Sequence, residues 1–149
     1  MNEQNAAVST PAMGVISESS ADPKENAYAA VEHWAAAYGS ANVDEVVASY
    51  TPDALFWGTA MENLATTPEG IRAYFAELPK RSPRSSVRIL SCSAVRLSND
   101  VVLFAGLYQF SRGEQANPPA RFTLVAVKRG DRWLLAHHHS SKQPTGTGR

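Results

Sequence analysis

Apolar residues in the first half of the chain recur at intervals of three and four positions, which is the period of a helix that buries one face. Asp22 followed by Pro23 is typical of a helix start, and Gly39 is a typical stop. A first helix is therefore predicted between these residues. Its inward positions are predicted to be Ala27, Ala30, Val31, Trp34, Ala35 and Tyr38.

Two shorter helices are predicted before residue 80. Asn42 is a suitable cap for a helix through Val47, and Thr67 repeats the start signal for a helix that ends before Pro79. Between them, Thr51-Pro52-Asp53 predicts a turn, and 54–57 predicts a short strand. The inward positions of the third helix are predicted to be Ile71, Tyr74, Phe75 and Leu78.

From residue 86 onward the apolar period changes to two, which is typical of β-strands. Four long strands separated by turn residues predict an antiparallel meander over 86–97, 101–111, 120–129 and 132–140. Helices followed by strands belong to the α+β class, in which the helices cover one face of the sheet.

Length and composition indicate one domain without nucleic-acid affinity. The 149 residues suit a single core over 23–144, with a flexible arm over 1–22 and a flexible tail over 145–149. Lys plus Arg and Asp plus Glu are equal at 14 each, so no basic field would hold a polyanion. The local basic cluster of Lys80, Arg81, Arg84 and Arg88 is interpreted as a solvated connection.

Cysteine content and hydropathy predict the compartment. Cys92 is the single cysteine, so an internal disulfide cannot form, as is usual in a reducing compartment. The sequence contains no apolar run of membrane-spanning length and no pattern of a secretory signal, so no membrane partner is expected. We predict a cytoplasmic protein.

Three segments together resemble the nuclear transport factor 2-like superfamily over about residues 24–144: YTPDALFWGT, TTPEGIRAYF and RWLLAHHHSSKQP. The likeness is to the branch resembling the association domain of calcium/calmodulin-dependent protein kinase II, whose small bacterial relatives (SnoaL-like) include members in enediyne and other polyketide pathways. The resemblance implies a cone-shaped fold with helices packed on a long curved antiparallel sheet around a pocket. It also implies a homodimer formed through the outer sheet face.

The three consecutive histidines lie within a predicted strand, whose side chains alternate between two faces. His138 and Ser140 therefore share one face, and His137 and His139 share the other. The pair His137 and His139 has a spacing seen in metal sites, but no third ligand is evident, so no metal is predicted. The resemblance implies that His138 and Ser140 face the pocket. The alternative is that His138 is a packed core histidine without a reaction.

Aromatic and small residues on the helices and strands are predicted to form the pocket wall. On the third predicted strand, alternation groups Gly106 and Tyr108 on one face, and the glycine suggests that another group approaches its backbone closely. For each aromatic residue the alternative is a purely structural role in the core. The predicted ligand-contacting residues are Trp34, Tyr38, Trp57, Tyr74, Phe75, Phe104, Gly106, Phe110, Phe122 and Leu124.

The charge of the pocket guides the choice of ligand. The kinase association domains carry basic pocket residues, and the resemblance matches those positions to Gly106, Leu124 and Ser140. An apolar small molecule is therefore predicted, and an anionic one is not. No carboxylate base is placed in the pocket, where only Glu62 is a candidate. Proton transfer is therefore assigned to His138, with Tyr108 and Ser140 as hydrogen-bonding partners, and no cofactor is expected.

These patterns lead to a functional hypothesis with two rivals. The hypothesis is an accessory enzyme of polyketide-type or enediyne-type biosynthesis, an isomerase, cyclase or dehydratase that acts by acid/base chemistry without a metal. The first rival is a non-catalytic dimeric module that binds such an intermediate or a partner protein. The second is a detached regulatory association domain. The dimer is expected to bury an outward apolar face formed by Ala105, Leu107, Val125, Val127 and Leu135.

Overall fold

Within residues 22–145, three α-helices and one short 3-10 helix precede the long strands of the sheet. The computed structural model describes residues 22–145, so most of the predicted arm and of the predicted tail lies outside the described residues. The helices are α1 (Pro23–Gly39), α2 (Val43–Ala48) and α3 (Pro68–Phe75), and the 3-10 helix is Leu78–Lys80.

Each α-helix begins at the predicted cap. The side chain of Asp22 accepts a hydrogen bond from the backbone N–H of Lys24 at the start of α1. Asn42 caps α2 in the same way, and Thr67 caps α3. The first N–H groups of a helix have no partner within the helix, so these side chains satisfy groups that would otherwise be unpaired.

The sheet has the strand order β1-β6-β5-β3-β2, with a short strand β4 paired to β3. Strand β1 runs parallel to β6, and the remaining pairs are antiparallel. This arrangement confirms the predicted α+β class, with helices packed on a curved and mostly antiparallel sheet. The strands are β1 (Tyr50–Trp57), β2 (Ser85–Ser98), β3 (Val101–Arg112), β4 (Gln115–Ala116), β5 (Ala120–Arg129) and β6 (Arg132–Lys142).

The predicted turn at Thr51-Pro52-Asp53 is wrong, because these residues lie within β1. Proline lacks the N–H that a central strand needs, but an edge strand tolerates it. Strand β1 is such an edge, and its register with β6 shifts between Tyr50 and Leu55. The strand therefore begins earlier than the sequence pattern indicates.

A β-bulge in β6 inverts the predicted direction of Leu135. Val125 of β5 opposes His137, whereas Ala126 opposes Leu135, so Ala136 is an extra residue in β6. A bulge of this kind exchanges the faces of the residues on one side of it. Leu135 is consequently buried with no exposed surface, and its predicted place on the outward face is wrong.

The core lies between the helices and the inner sheet face, where Trp34, Phe56, Phe75 and Tyr108 are among the largest buried side chains. The outer sheet face is covered by no element of residues 22–145, and its apolar side chains are exposed or half-buried. They include Ala105, Leu107, Val125 and Val127. Within the described chain, no helix is both long and apolar enough to cross a membrane.

Candidate functional site

A cavity of about 640 Å³ opens between α1, α3 and the inner face of the sheet. This is a volume that small-molecule sites commonly have. The sequence-predicted residues that line it are Trp34, Tyr38, Tyr74, Phe75, Tyr108, Phe110, His138 and Ser140. These eight residues are mainly aromatic, and their polar groups are hydroxyls and the imidazole.

The cavity does not include the predicted wall residues Trp57, Phe104, Phe122 and Leu124. Trp57 alternates to the outer face of β1, where its indole N–H donates to the carbonyl of Met61 at 3.0 Å. The other three are inward but fully packed. Helix α1 covers that part of the sheet, for example where the ring centroid of Tyr28 lies 5.9 Å from that of Phe104.

Gly106 also lies outside the cavity wall, and the group that approaches its backbone belongs to the protein. A Cβ atom at this position would lie 2.0 Å from the carbonyl oxygen of Ser91. The register of β2 and β3 shifts between Ile89 and Ser91, so the β2 backbone bends toward β3 here. The close approach that the glycine indicated is thus explained by the β2 backbone, and Gly106 does not line the cavity.

His138 lies between two tyrosines at the deep end of the cavity. The Tyr50 hydroxyl is 2.8 Å from His138 Nδ1, and the Tyr108 hydroxyl is 3.0 Å from His138 Nε2. All three side chains are buried. We call this set the Tyr–His–Tyr cluster. Tyr108 and His138 line the cavity, whereas Tyr50 lies behind them in the core.

The donors and acceptors available in the cluster determine which imidazole nitrogen of His138 carries the hydrogen. A neutral histidine donates from one ring nitrogen and accepts at the other. If Nδ1 carried the hydrogen, the Tyr50 O–H would have no acceptor among the described residues, because its other polar neighbour, the indole N–H of Trp34, can only donate. A buried unpaired donor costs about 1–3 kcal/mol. Tyr50 therefore donates to Nδ1 and Nε2–H donates to Tyr108, which leaves the Tyr108 O–H free to donate to Ser140 or to another group in the cavity.

Burial keeps the whole cluster uncharged at neutral pH. It lowers the pKa of His138 to about 3, because a protonated imidazole would lose its hydration in the core. The same cause raises the pKa of the Tyr108 phenol and of the Tyr50 phenol well above the ordinary value. Both nitrogens of His138 are engaged by tyrosines, so the Tyr108 hydroxyl, which His138 positions, is the group of the cluster that can still donate into the cavity.

A pair of hydroxyl groups continues the polar side of the wall toward the opening. The Thr59 Oγ1 atom is 2.5 Å from the Ser140 Oγ atom, and Ser140 lies near enough to Tyr108 to lower the pKa of the phenol. Both hydroxyls can donate and accept, so they suit a second polar atom of a ligand.

The mouth of the cavity carries two cations, Arg81 and Lys142. Their presence corrects the prediction of a pocket without charge, whereas Arg81 is exposed, as expected for a solvated connection, and also borders the cavity. No carboxylate of residues 22–145 lines the cavity, and Glu62 is exposed outside it. The potential at the opening is therefore positive.

Sequence reasoning missed Tyr50, Thr59, Arg81 and Lys142 as wall or cluster residues. Lys142 could have been predicted, because strand alternation places it on the same face as His138 and Ser140. The other three depend on the extended start of β1 and on loop paths, for which the sequence has no comparable pattern.

The outer face of β6 presents His137 and His139, whose ring centroids are 6.5 Å apart. In the described part of the chain, no group of three or more metal-ligating side chains lies close enough to hold a metal ion.

Comparison with known proteins agrees with this architecture. Residues 28–146 match the family described as the SnoaL-like domain. A structure from Xanthomonas campestris, assigned as a calcium/calmodulin-dependent protein kinase II association domain, is 27% identical, with a TM-score of 0.73 over 82% of this chain and 89% of that one. No curated protein matches the sequence.

Two further solved structures share the fold at lower identity. A ketosteroid isomerase-like protein from Erwinia carotovora atroseptica is 16% identical, with a TM-score of 0.64 over 80% of this chain and 95% of that one. A protein from Novosphingobium aromaticivorans, assigned as a scytalone dehydratase, is 11% identical, with a TM-score of 0.69 over 83% and 93%. At this identity the likeness concerns the fold alone.

Proposed function

This chain belongs to the SnoaL-like domain family, and we propose that it is an enzyme acting on an apolar carbonyl compound of the polyketide type. The observation that carries the proposal is the Tyr108 phenol. It lines an aromatic cavity, stays protonated, and accepts a hydrogen bond from the buried neutral His138, which directs its own O–H toward a ligand.

The proposed chemistry is enolisation followed by isomerisation or ring closure. Tyr108 donates a hydrogen bond to the carbonyl oxygen of the bound compound. The neighbouring C–H bond breaks, its proton passes to water in the cavity, and its electron pair moves to form the enolate. A fixed donor in an apolar site stabilises the negative charge that develops on the oxygen. The enolate carbon then takes back a proton or attacks a second carbonyl.

The absence of a carboxylate from the described cavity wall limits the substrate to acidic C–H bonds. A carbon between two carbonyl groups meets this requirement, because either oxygen can take up the charge. Repeated 1,3-dicarbonyl units are what a polyketide-type intermediate offers. We propose that the substrate is an intermediate of a polyketide-type or enediyne-type pathway.

A non-catalytic binding module is the second candidate, and one observation favours it. Both nitrogens of His138 are engaged by tyrosines, so no group of the described wall is an evident base. Such a protein would hold the same class of compound through the same aromatic wall and release it unchanged.

Deuterium exchange at carbon separates the two candidates. Ethyl benzoylacetate, an apolar 1,3-dicarbonyl, would be incubated with the protein in D2O at a mildly acidic pD, and label at C2 would be followed by NMR. An enzyme accelerates exchange above the buffer rate, and Tyr108→Phe removes the acceleration. Tyr28→Phe, which changes a tyrosine outside the cavity, is the matched control. Binding without acceleration would reject the enzyme in favour of the binding module.

A further inference from the structure

Polarity along the cavity wall changes in steps that follow strand β6. His138, Ser140 and Lys142 occupy successive inward positions, from the buried end to the exposed end of the strand. The order is therefore a neutral ring, a hydroxyl and a cation. A strand rises about 3.3 Å per residue, so roughly 13 Å separates the first of these positions from the last.

Arg81 reaches the same opening from the other side and is held in place. Its guanidinium donates to the Ser85 hydroxyl at 3.0 Å and lies 3.5 Å from the Tyr38 hydroxyl. Ser85 is buried, with 2% of its surface exposed, and Tyr38 is part of the cavity wall. The guanidinium is thus oriented by groups of the core, and its other N–H groups are left for a ligand.

Within residues 22–145, neither mouth cation has a carboxylate within ion-pair distance. Among the described lysines and arginines, ion pairs are formed by Arg72, Lys80 and Arg129, so the two mouth cations are distinguished by their place beside the apolar cavity. Two cations without an acidic partner at the rim of an apolar cavity form a site for an external anion.

We propose that the mouth binds the carboxylate of an elongated apolar acid, whose carbonyl end reaches the Tyr108 hydroxyl beside His138, a residue that lies four positions along β6 from Lys142. The carbonyl end of this assignment rests on the proposed function, whereas the carboxylate end rests on Arg81 and Lys142. The aromatic wall supplies contact area for the body of the molecule, and the two cations select an acid over its ester or alcohol.

A pair of fluorescent probes of the same shape tests the anion preference. 8-Anilinonaphthalene-1-sulfonate and uncharged N-phenyl-1-naphthylamine share an aromatic body and differ in the anionic group. We expect Arg81→Gln combined with Lys142→Gln to weaken sulfonate binding about tenfold and to leave the uncharged probe within twofold. We also expect the affinity for the sulfonate to fall between 50 and 500 mM NaCl, because exposed charges are screened.

Matched variants locate the effect. Arg88→Gln and Lys128→Gln change exposed cations outside the cavity and should leave both probes unaffected. Thr59→Trp fills the cavity wall and should remove the binding of both probes, which identifies the portion of the signal that comes from the cavity.

The outcomes separate this inference from the proposed function. Equal affinity losses for both probes in the double variant, or no loss for either, would overturn the anion site while leaving the apolar cavity and its phenol in place. If the uncharged probe fails to bind the unaltered protein, the apolar site itself is rejected, and the proposed function falls with it. An unchanged salt dependence in the double variant would also count against the cations.

Discussion

His138 and His139 are neighbours in the chain but lie in opposite surroundings on the two faces of β6. His138 is 1% exposed and bonded to two tyrosines at the end of a cavity. His139 is exposed, and its ring centroid lies 6.1 Å from that of Trp57 on the outer face. The contrast teaches that strand alternation, and not residue type, decides which histidine can take part in chemistry.

Replacing His138 with alanine should change stability and turnover far more than replacing His139, and this is the largest difference that we expect. We expect His138→Ala to lower the free energy of unfolding by about 3 kcal/mol, because it leaves a cavity and two unpaired phenols. Turnover per folded molecule should fall about a hundredfold, since Tyr108 loses its positioning partner. Urea denaturation and the deuterium-exchange assay measure the two effects.

His139→Ala is the matched control for this test. It should change the free energy of unfolding by less than about 0.5 kcal/mol, as is usual for exposed positions. Similar losses of stability and turnover in both variants would contradict the expected difference between the two faces.

The pH dependence of stability should differ between the same two positions. The pKa of His138 is about 3 in the folded protein, whereas an unfolded histidine titrates near 6.5. Below that value the unfolded chain takes up a proton that the folded chain does not, so stability falls as the pH drops. The expected loss from this residue between pH 7 and pH 5 is about 2 kcal/mol.

Glutamine substitutions isolate this contribution, because an amide can donate and accept but does not titrate in this range. His138→Gln should flatten the dependence of the unfolding free energy on pH, and His139→Gln should retain it. A dependence that survives in His138→Gln would assign the titration to other groups.

Within the Tyr–His–Tyr cluster, the two phenols should respond in opposite ways. Tyr50→Phe leaves Nδ1 without a donor in the core, so we expect it to lower the unfolding free energy by about 1.5 kcal/mol. Tyr108→Phe should cost less stability, because water in the cavity can accept from Nε2–H, but should reduce turnover about a hundredfold or more, since the donor itself is lost. Denaturation and exchange rates measured on both variants test this contrast. Tyr50→Phe should lose mainly stability and Tyr108→Phe mainly turnover, and equal changes in both variants would contradict the prediction.

The outer face should give the smallest effect in free energy. The homodimer stays a prediction, and Leu107 lies on the face that it would bury. Leu107→Ala should weaken association by about 1 kcal/mol per protomer through lost apolar area. Sedimentation on dilution would measure it, with exposed Leu97→Ala, near the β2–β3 turn, as control. A monomer at micromolar concentration in the unaltered protein would contradict the dimer.

Local chemistry explains why most of the fold could be predicted. The caps at Asp22, Asn42 and Thr67 and the hairpins of the meander depend on neighbouring residues, so the sequence pattern was sufficient. The errors arose where an extra residue breaks strand alternation. The bulge at Ala136 turned Leu135 inward, and the bend of β2 explained Gly106 without a ligand.

The candidate site was predictable only where one strand carries it. Alternation along β6 placed His138 and Ser140 on one face, the family resemblance assigned that face to the pocket, and both residues line the cavity. Tyr50 and Arg81 join the site through the paths of an edge strand and of the segment after α3, which are set by packing across the whole domain. No local sequence pattern predicts such contacts between segments that are distant in the chain.

The two edges of the sheet bear on how copies of this chain behave at high concentration. An open edge presents unpaired backbone groups that a second chain can extend into a fibril-like stack. Pro52 interrupts β1, and the irregularities around Leu90 and Leu97 interrupt β2. These irregularities thus make both strands poor templates for aggregation, and regularising either edge would weaken that protection.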